Sequence, residues 1–560
     1  MSISKSQTEK IGSIFNGNRF VIPTYQRKYS WTLKERKALW EDIDESINSS
    51  MSHFIGTLSF MENKMDGLAT DTQYEVIDGQ QRITSLFILL SVLIDRLPEG
   101  AIKNAQKTAF IGNPDNLKLE PLGIDGAFLK KLLFDFIDID ISDVTKRSQK
   151  LMYAAKREFI AFTNSLSSKQ IEERIIFIKD KIEILVFNVN DQAQAVKMFS
   201  IINDRGLPLR ILDKTKSILM LYSTLHLQGV LNQSINECFE RIFDSYDDIL
   251  VWKERLGILG RLEENTIFTQ HYYSAYDQFR ELWNYRDSAE TIFNNLKIKC
   301  ENLKDDTPQL AAFISSYIFD FSAFAENYAR LIQDVEKKSI YTKPFQYLEF
   351  TATVYPLIVR LYSQNKLDAL LPLLECIEVR VFKLTGTTAI KDIYYLSSHV
   401  AGQNMDVENI KNRLLSFSQK FMSDFNFKTA LGNSIVGNGA VKYILSEYNN
   451  DHLSIEKYNN LQVEHIFSNN PDFDPLSYGF IEGYDYEKGK IGNLGLLEEG
   501  INKGIGNSVP LNKVSGYLKS AVRETRNLAG EIQLGNFQKN NVDIRREKII
   551  EFCLQRFTLS

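Results

Sequence analysis

The segment that most constrains this chain is Val76–Leu86, VIDGQQRITSL, because its backbone pattern changes within a few residues. A short β-branched run leads into an Asp-Gly turn, and the apolar segment Ile83–Ile94 follows. This order predicts a strand, a tight turn and a helix. A helix N-terminus behind a glycine offers unpaired N–H groups and a partial positive charge. We therefore expect an anion, most naturally a phosphate, to be stabilised there.

The side chains of this turn suit phosphate as well. Arg82 carries a fixed fork of donors, and Gln80 and Gln81 can donate and accept hydrogen bonds at short range. The alternative is that Asp78 only caps the helix and Arg82 faces water.

A second loop, Pro23–Trp31, has neither helical nor strand periodicity. Its tyrosines, tryptophan and cations could stack a base or ribose and hold phosphates. The alternative is an aromatic plug over the core. Around it the patterns predict a helix over residues 7–16, a strand over 19–22, a helix over 33–49, a strand over 53–61, a turn through Gly67 and a strand over 74–77.

Three segments in this order, IPTYQRKYSW, HFIGTLSF and VIDGQQRITSL, resemble the N-terminal domain of GmrSD-type modification-dependent restriction enzymes, which is related to the ParB and sulfiredoxin-like fold. The likeness continues in MFSIINDRGLPLRILDKTKSIL, where it makes Arg205 and Asp213 supporting groups of the site. Without this resemblance, Asp213 and Lys216 would be interpreted as an exposed ion pair on a helix. The resemblance implies nucleotide binding and hydrolysis by Tyr25, Gln26, Arg27, Asp78, Gly79, Gln80, Gln81, Arg82 and Thr84.

The chain length, the net charge and the positions of the cysteines limit the class of protein. A chain of 560 residues is too long for one core, and its net charge of −5 argues against a nucleic-acid coat protein while permitting a local basic groove. The four cysteines lie far apart and indicate neither a zinc site nor disulfides. The N-terminus lacks a secretory pattern, and we expect a soluble, cytoplasmic protein without a membrane partner. Residues 100–190 and 215–440 carry mostly helical periodicity, which predicts a helical body.

A second constellation lies near the C-terminus. The strand-like segment LQVEHIF, the Asn493–Leu494 pair and then Asn502 resemble the ββα-metal, or HNH, nuclease finger. A neutral His465 suits the base that activates water, and the oxygen ligands Glu464 and Asn502 suit Mg²⁺ or Mn²⁺. Asn493 would orient the histidine or tie the finger together. The alternative is a turn system that has lost nuclease activity.

The same region follows the nuclease domain of the GmrSD-type family in IGNLGLLEEGINKGIGN and then in Lys513, Tyr517 and Ser520. It departs where the family usually has proline, at Ser468. The last sixty residues are rich in Lys and Arg, which would serve contacts with the phosphate backbone or only a solvated face.

The combined prediction is a predominantly helical α+β protein with a nucleotide-binding domain (1–225), a helical linker body (226–410) and an HNH nuclease domain (411–560). We expect an NTP-coupled, metal-dependent DNA endonuclease that restricts phage DNA, in particular modified DNA, as a type IV system does. Two alternatives stay open: a nucleotide-sensing DNA-binding regulator with an inactive finger, and an RNA-directed toxin nuclease. The sequence does not choose among GTP, UTP, CTP and ATP, and it leaves a homodimer open.

Overall fold

A computed structural model describes residues 6–15, 18–23, 26–63, 72–144, 146–189, 210–257, 262–386, 389–403, 405–449, 453–481 and 483–559. Contacts between Cα atoms group the chain into two compact units. The first unit comprises residues 1–251 and 288–329, and the second comprises 252–287 and 330–560. The predicted domain boundaries at residues 225 and 410 stay predictions.

The chain is predominantly helical, as predicted. The helices of the described residues are α1 Ile11–Phe15, α2 Leu33–Ser49, α3 Gln80–Asp95, α4 Ala101–Phe110, α5 Ile124–Phe134, α6 Arg147–Thr163, α7 Ser168–Asp180, α8 Ile211–His226, α9 Asn232–Leu256, α10 Glu264–Tyr273, α11 Tyr276–Phe279, α12 Ala289–Leu303, α13 Thr307–Lys337, α14 Ser339–Thr342, α15 Tyr355–Ser363, α16 Leu367–Ile377, α17 Ile390–Gly402, α18 Val407–Phe421, α19 Asp424–Gly432, α20 Val441–Asn449, α21 Ile455–Asn459, α22 Tyr484–Glu487, α23 Glu499–Ile505, α24 Pro510–Tyr517, α25 Arg523–Gln533 and α26 Lys539–Arg556. Within the described ranges, no helix has the length and apolarity needed to span a bilayer.

The first unit is built on a mixed six-stranded sheet. Its strands are β1 Ser6–Lys10, β2 Asn18–Ile22, β3 His53–Asn63, β4 Thr72–Asp78, β7 Leu119–Pro121 and β8 Ile182–Val189, and a separate hairpin joins β5 Gly112–Asn113 to β6 Asn116–Leu117. The order in the sheet is β1-β8-β3-β4-β2-β7. The strands β2 and β4 are parallel neighbours, with Phe20 opposite Tyr74.

Helix α3 forms the centre of the first unit's core. Every residue from Ile83 to Ile94 is buried, because this run is apolar on all its faces and other elements cover each of them. The predicted strand–turn–helix at Val76–Leu86 is confirmed. The predicted turn through Gly67 lies outside the described residues.

Two predictions in this unit are wrong in part. Residues 6–10 form the strand β1 rather than the start of a helix, and they pair antiparallel with β8, with Thr8 opposite Leu185. The segment Ile171–Phe187, expected to be helical throughout, ends its helix at Asp180 and continues as β8. In both cases a distant partner strand decides the conformation.

The second unit contains a small antiparallel pair, β9 Leu461–His465 and β10 Leu494–Glu498. His465 lies opposite Leu494, and Glu464 lies opposite Gly495. Helix α23 follows β10 directly and contacts both strands. An aromatic and aliphatic core that includes Phe467, Phe480 and Tyr517 supports this ββα arrangement.

Candidate functional sites

The two predicted nucleotide-binding loops lie at the same edge of the sheet. The strands β2 and β4 run parallel, so the loops that follow Ile22 and Asp78 leave the sheet side by side. Tyr25 lies outside the described residues, as does Arg205. The other predicted nucleotide-binding residues, Gln26, Arg27, Asp78, Gly79, Gln80, Gln81, Arg82 and Thr84, all lie in these loops or in the first turns of α3.

Gly79 turns the chain from β4 into α3. Its φ angle is +89°, a conformation that favours glycine, and it occupies the N-cap of the helix. A Cβ atom here would lie 2.1 Å from Leu58 Cδ2. The sequence therefore requires glycine at this position for two independent reasons.

Gln26 and Gln81 brace the two loops against each other. The Gln26 Nε2 group lies 2.8 Å from the carbonyl oxygens of both Val76 and Ile77. Gln81 donates to the carbonyl of Lys28 at 3.0 Å and accepts from the N–H of Ser30 at 2.7 Å. These contacts support the loop backbone. Both glutamines also line the cavity beside these loops, so their role as ligand contacts stays a prediction.

Asp78 and Arg82 are half-buried side chains whose charges attract each other. Arg82 donates to the carbonyl of Thr57 at 3.0 Å. Burial raises the pKa of Asp78, although the Arg82 charge opposes this, and burial lowers the pKa of Arg82. Arg82 therefore does not simply face water, because it is half-buried and donates to a backbone carbonyl.

The segment that carries Asp213 and Lys216 joins this site. An Arg27 guanidinium nitrogen lies 4.0 Å from Asp213 Oδ2, and the charge of Asp213 also helps to raise the pKa of Asp78. Burial lowers the pKa of Lys216 to about 7 and raises the pKa of Asp213. The two residues are therefore part of a partly buried charge cluster and not an exposed helical pair.

A cavity of about 210 Å³ opens beside these loops. Arg27, Lys28, Gln80 and Thr84 line one part of it, and the carboxylates Asp125, Glu240 and Asp244 line another. Lys28 Nζ lies 2.5 Å from Asp244 Oδ1. Sequence reasoning missed these carboxylates because they come from α5 and α9, far along the chain and without a local motif.

The second site is the ββα arrangement, in which His465 ends β9. Burial, together with the positive charges of Lys513 and Lys488, lowers the pKa of the imidazole to about 4. Its Nε2 atom is buried and has no hydrogen-bond partner among the described residues. The ring is therefore neutral near pH 7.

Asn493 links backbone segments of the ββα arrangement. Its Nδ2 group donates to the carbonyls of Phe467 at 2.9 Å and Lys488 at 2.8 Å, and its oxygen accepts from the N–H of Phe467 at 2.8 Å. Both amide protons are used on backbone groups, and the side chain is fully buried. The geometry fits the predicted tying role and leaves no amide proton to orient the imidazole.

Glu464 points into the interior of the second unit. Its Oε1 atom lies 2.7 Å from Lys513 Nζ and accepts a hydrogen bond from the Tyr517 hydroxyl at 2.9 Å. Lys513, which is 1% exposed, also donates to the carbonyl of His465 at 2.7 Å. This contact set fits a buried ion pair better than the predicted metal ligand, because the carboxylate charge is already balanced.

Asn502 lies on α23 and donates from Nδ2 to Gln462 Oε1 at 3.2 Å. Its amide oxygen is the donor type that Mg²⁺ or Mn²⁺ accepts. No cluster of three or more His, Cys, Asp or Glu side chains suited to a metal occurs within the described ranges. The binding of Mg²⁺ or Mn²⁺ at this site therefore stays a prediction.

The remaining family features have structural explanations. Ser520 donates to Glu498 at 2.8 Å. At the position that departs from the family pattern, the Ser468 hydroxyl donates to the Ser508 carbonyl at 3.2 Å, and its own carbonyl accepts from Tyr484 at 2.6 Å. The loop is therefore anchored without the proline.

Much of the excess of Lys and Arg side chains near the C-terminus forms contacts within the protein. Arg545 is buried and donates to the carbonyls of Gly492 at 2.9 Å and Leu494 at 2.7 Å, while Arg556 pairs with Glu375 and Glu447. The exposed cations Lys519, Arg523 and Lys548 remain candidates for contacts with a phosphate backbone.

Comparison with known families places both sites in matched domains. Residues 11–220 match the N-terminal domain of the GmrSD restriction endonuclease, and residues 418–552 match the C-terminal domain of GmrSD restriction endonucleases. A search of curated proteins finds no match. The first match contains both loops and the charge cluster, and the second contains the whole ββα arrangement. The chain therefore belongs to the GmrSD restriction endonuclease family.

Proposed function

We propose that this restriction endonuclease cuts DNA at the ββα site with a divalent ion and couples cutting to a nucleoside triphosphate in the first unit. The nuclease part rests on His465, a neutral imidazole whose buried Nε2 atom has no hydrogen-bond partner in the described part of the chain. His465 ends β9, and Asn502 on α23 contacts the same strand through Gln462. A neutral imidazole can take a proton from the attacking water.

The other residues have defined parts in this proposal. Asn502 is the side chain that would hold Mg²⁺ or Mn²⁺, which when bound supplies positive charge for the phosphate and the leaving oxygen. Lys513 and Tyr517 hold Glu464 and the end of β9, so that the backbone of His465 is fixed. Asn493 fixes the loop that follows.

The nucleotide part rests on the cavity beside the two loops. At about 210 Å³ it is smaller than typical ligand pockets, so we propose that it takes only a part of the triphosphate. Arg27 and Lys28 supply positive charge, and the N-terminus of α3 supplies N–H groups. Phosphate would compete with Asp244 for Lys28. Modified DNA is the proposed substrate, in line with the family resemblance.

The test is cleavage of unmodified plasmid and of modified phage DNA with Mg²⁺ or Mn²⁺, with and without each of the four NTPs. The variants are His465→Ala and, as a matched control, His226→Ala in the first unit. We expect metal-dependent cutting in the wild type and the control, and its loss in His465→Ala.

Each alternative predicts a different pattern in the same assay. Equal cutting by wild type and His465→Ala would refute the assignment of the base. NTP hydrolysis without cutting of any DNA would favour a regulator with an inactive finger. Preferential cutting of RNA in a competition assay would favour the toxin nuclease.

The nucleotide proposal has a separate test. Lys28→Gln should weaken binding of a fluorescent NTP analogue at least tenfold, whereas Lys37→Gln, an exposed lysine on α2 away from the cavity, should leave it unchanged. Equal affinities of the two variants would show that the triphosphate binds elsewhere.

A further inference from the structure

A second cavity, of about 300 Å³, lies within the second unit between α17 and α18, away from the residues of the ββα arrangement. Its walls carry two aromatic rings, Tyr395 and Phe417, together with aliphatic side chains. Its polar groups are His399, Arg413, Lys420 and Asp392. This combination of flat apolar surface and a few polar groups is typical of a small-ligand site.

His399 provides the first sign of a ligand. Its Nδ1 atom is buried and has no hydrogen-bond partner among the described residues. A buried polar atom without a partner costs free energy, and native proteins satisfy nearly all such atoms. A ligand with a hydrogen-bonding edge would satisfy this nitrogen.

The charges of the cavity give the second sign. Lys420 is balanced by Asp392, with its Nζ atom 3.1 Å from Oδ2. The Arg413 guanidinium donates from Nε to the neutral side chain of Asn409, with 3.3 Å between Nε and Oδ1. The cavity therefore favours an anion.

An aromatic wall, an unsatisfied imidazole nitrogen and an excess of positive charge together select a ligand that is aromatic, hydrogen-bonding and anionic. A nucleotide meets all three conditions: its base stacks on an aromatic side chain, its edge forms hydrogen bonds, and its phosphate pairs with arginine. We propose that this cavity binds one base and the adjoining phosphate of the DNA substrate. The proposal rests on DNA being the substrate of the nuclease site.

The cavity volume sets the size of the bound group. About 300 Å³ is at the lower end of ligand pockets, which suits a single nucleotide and excludes a duplex. The base must therefore be unpaired or turned out of the helix when it enters. Such a site would let the enzyme inspect one base at a distance from the bond that it cuts.

The test measures binding in the full-length His465→Ala protein, so that no cleavage is needed to read it. Deoxynucleoside monophosphates and inorganic phosphate are titrated by calorimetry, and a single-stranded oligonucleotide with one 2-aminopurine is followed by fluorescence. Tyr395→Ala and Arg413→Gln carry the test. Lys411→Gln, a change on the same helix at a residue that does not line the cavity, is the matched control.

We expect the monophosphates to bind at least tenfold more tightly than phosphate, and each test variant to weaken binding about tenfold or more while the control does not. Arg413 is exposed, so its variant should fold normally. Equal affinity in Arg413→Gln and Lys411→Gln would overturn the proposal. So would phosphate binding as tight as that of a monophosphate. A loss of monophosphate binding confined to the first-unit variant Lys28→Gln would also overturn it, because it would locate binding in the first unit. A failed cleavage assay with intact monophosphate binding would count against the nuclease alone.

Discussion

Replacement of Lys513 by methionine should destabilise the second unit strongly. The ammonium is 1% exposed, lies 2.7 Å from a Glu464 carboxylate that is itself buried, and also donates to the His465 carbonyl. Methionine fills much of the volume but leaves the carboxylate with the Tyr517 hydroxyl as its remaining partner. Removal of one member of a buried ion pair costs about 3–5 kcal/mol, because the other charge stays buried and unbalanced.

The double variant Glu464→Gln/Lys513→Met separates the charge from the packing. A neutral amide can still accept from Tyr517, and removal of both charges is often close to neutral. We therefore expect the double variant to recover most of the lost stability. The single variant Glu464→Gln should cost less than Lys513→Met, because burial already lowers the pKa of Lys513 and the amine can release its proton. That cost should shrink between pH 7 and pH 9.

The measurement is urea unfolding of the four proteins, followed by circular dichroism and tryptophan fluorescence. Lys519→Met is the control, since this lysine is exposed in the same region and its loss should change the free energy of unfolding by less than about 0.5 kcal/mol. The reasoning would be refuted if Lys513→Met cost no more than Lys519→Met, or if the double variant were less stable than either single one.

Three further results are expected. Gly79→Ala should lower the stability of the first unit by more than about 1 kcal/mol, because φ is +89° and the new Cβ would meet Leu58; thermal unfolding and NTP binding check it, and an unchanged midpoint would contradict it. Asn493→Ala should cost about 1–3 kcal/mol for each backbone group left unsatisfied, and hydrogen exchange at the Phe467 N–H should rise; protection at the wild-type level would count against the tying role. Burial raises the pKa of Glu378 to about 7, so between about pH 4.5 and 7 the folded state binds more protons than the unfolded state, and the wild type loses stability as pH rises. Glu378→Gln should therefore be more stable than wild type at pH 8 and not at pH 4. A stability difference that stays constant with pH would refute the assignment.

Local signals in the sequence account for much of the fold. Helix α2 spans Leu33–Ser49 as predicted, since Thr32 and Glu35 form a capping box at its start. The strand–turn–helix around Gly79 follows from a β-branched run, a glycine and a long apolar segment. The strand β1 could not be predicted in this way, because its conformation depends on pairing with β8, which lies far along the chain.

The same contrast between local signals and distant contacts applies to the candidate sites. The pattern of residues located His465 and Asn502 on a strand and a helix that contact each other. It could not show that Glu464 faces Lys513 and Tyr517, because those side chains come from α24. Nor could it show that Gln26 and Gln81 hold backbone groups, since an amide suits a ligand and a carbonyl equally well.

The two glutamine braces at the predicted nucleotide-binding edge have a thermodynamic consequence. Gln26 and Gln81 fix the loop backbone during folding, so the conformational entropy of ordering that segment is lost before any ligand arrives. The main entropic cost of binding is then the ligand's own loss of freedom, and this preorganisation of the loops increases the affinity. A triphosphate should accordingly bind with little change in heat capacity, and loosening either brace should weaken binding through entropy while every phosphate contact is kept.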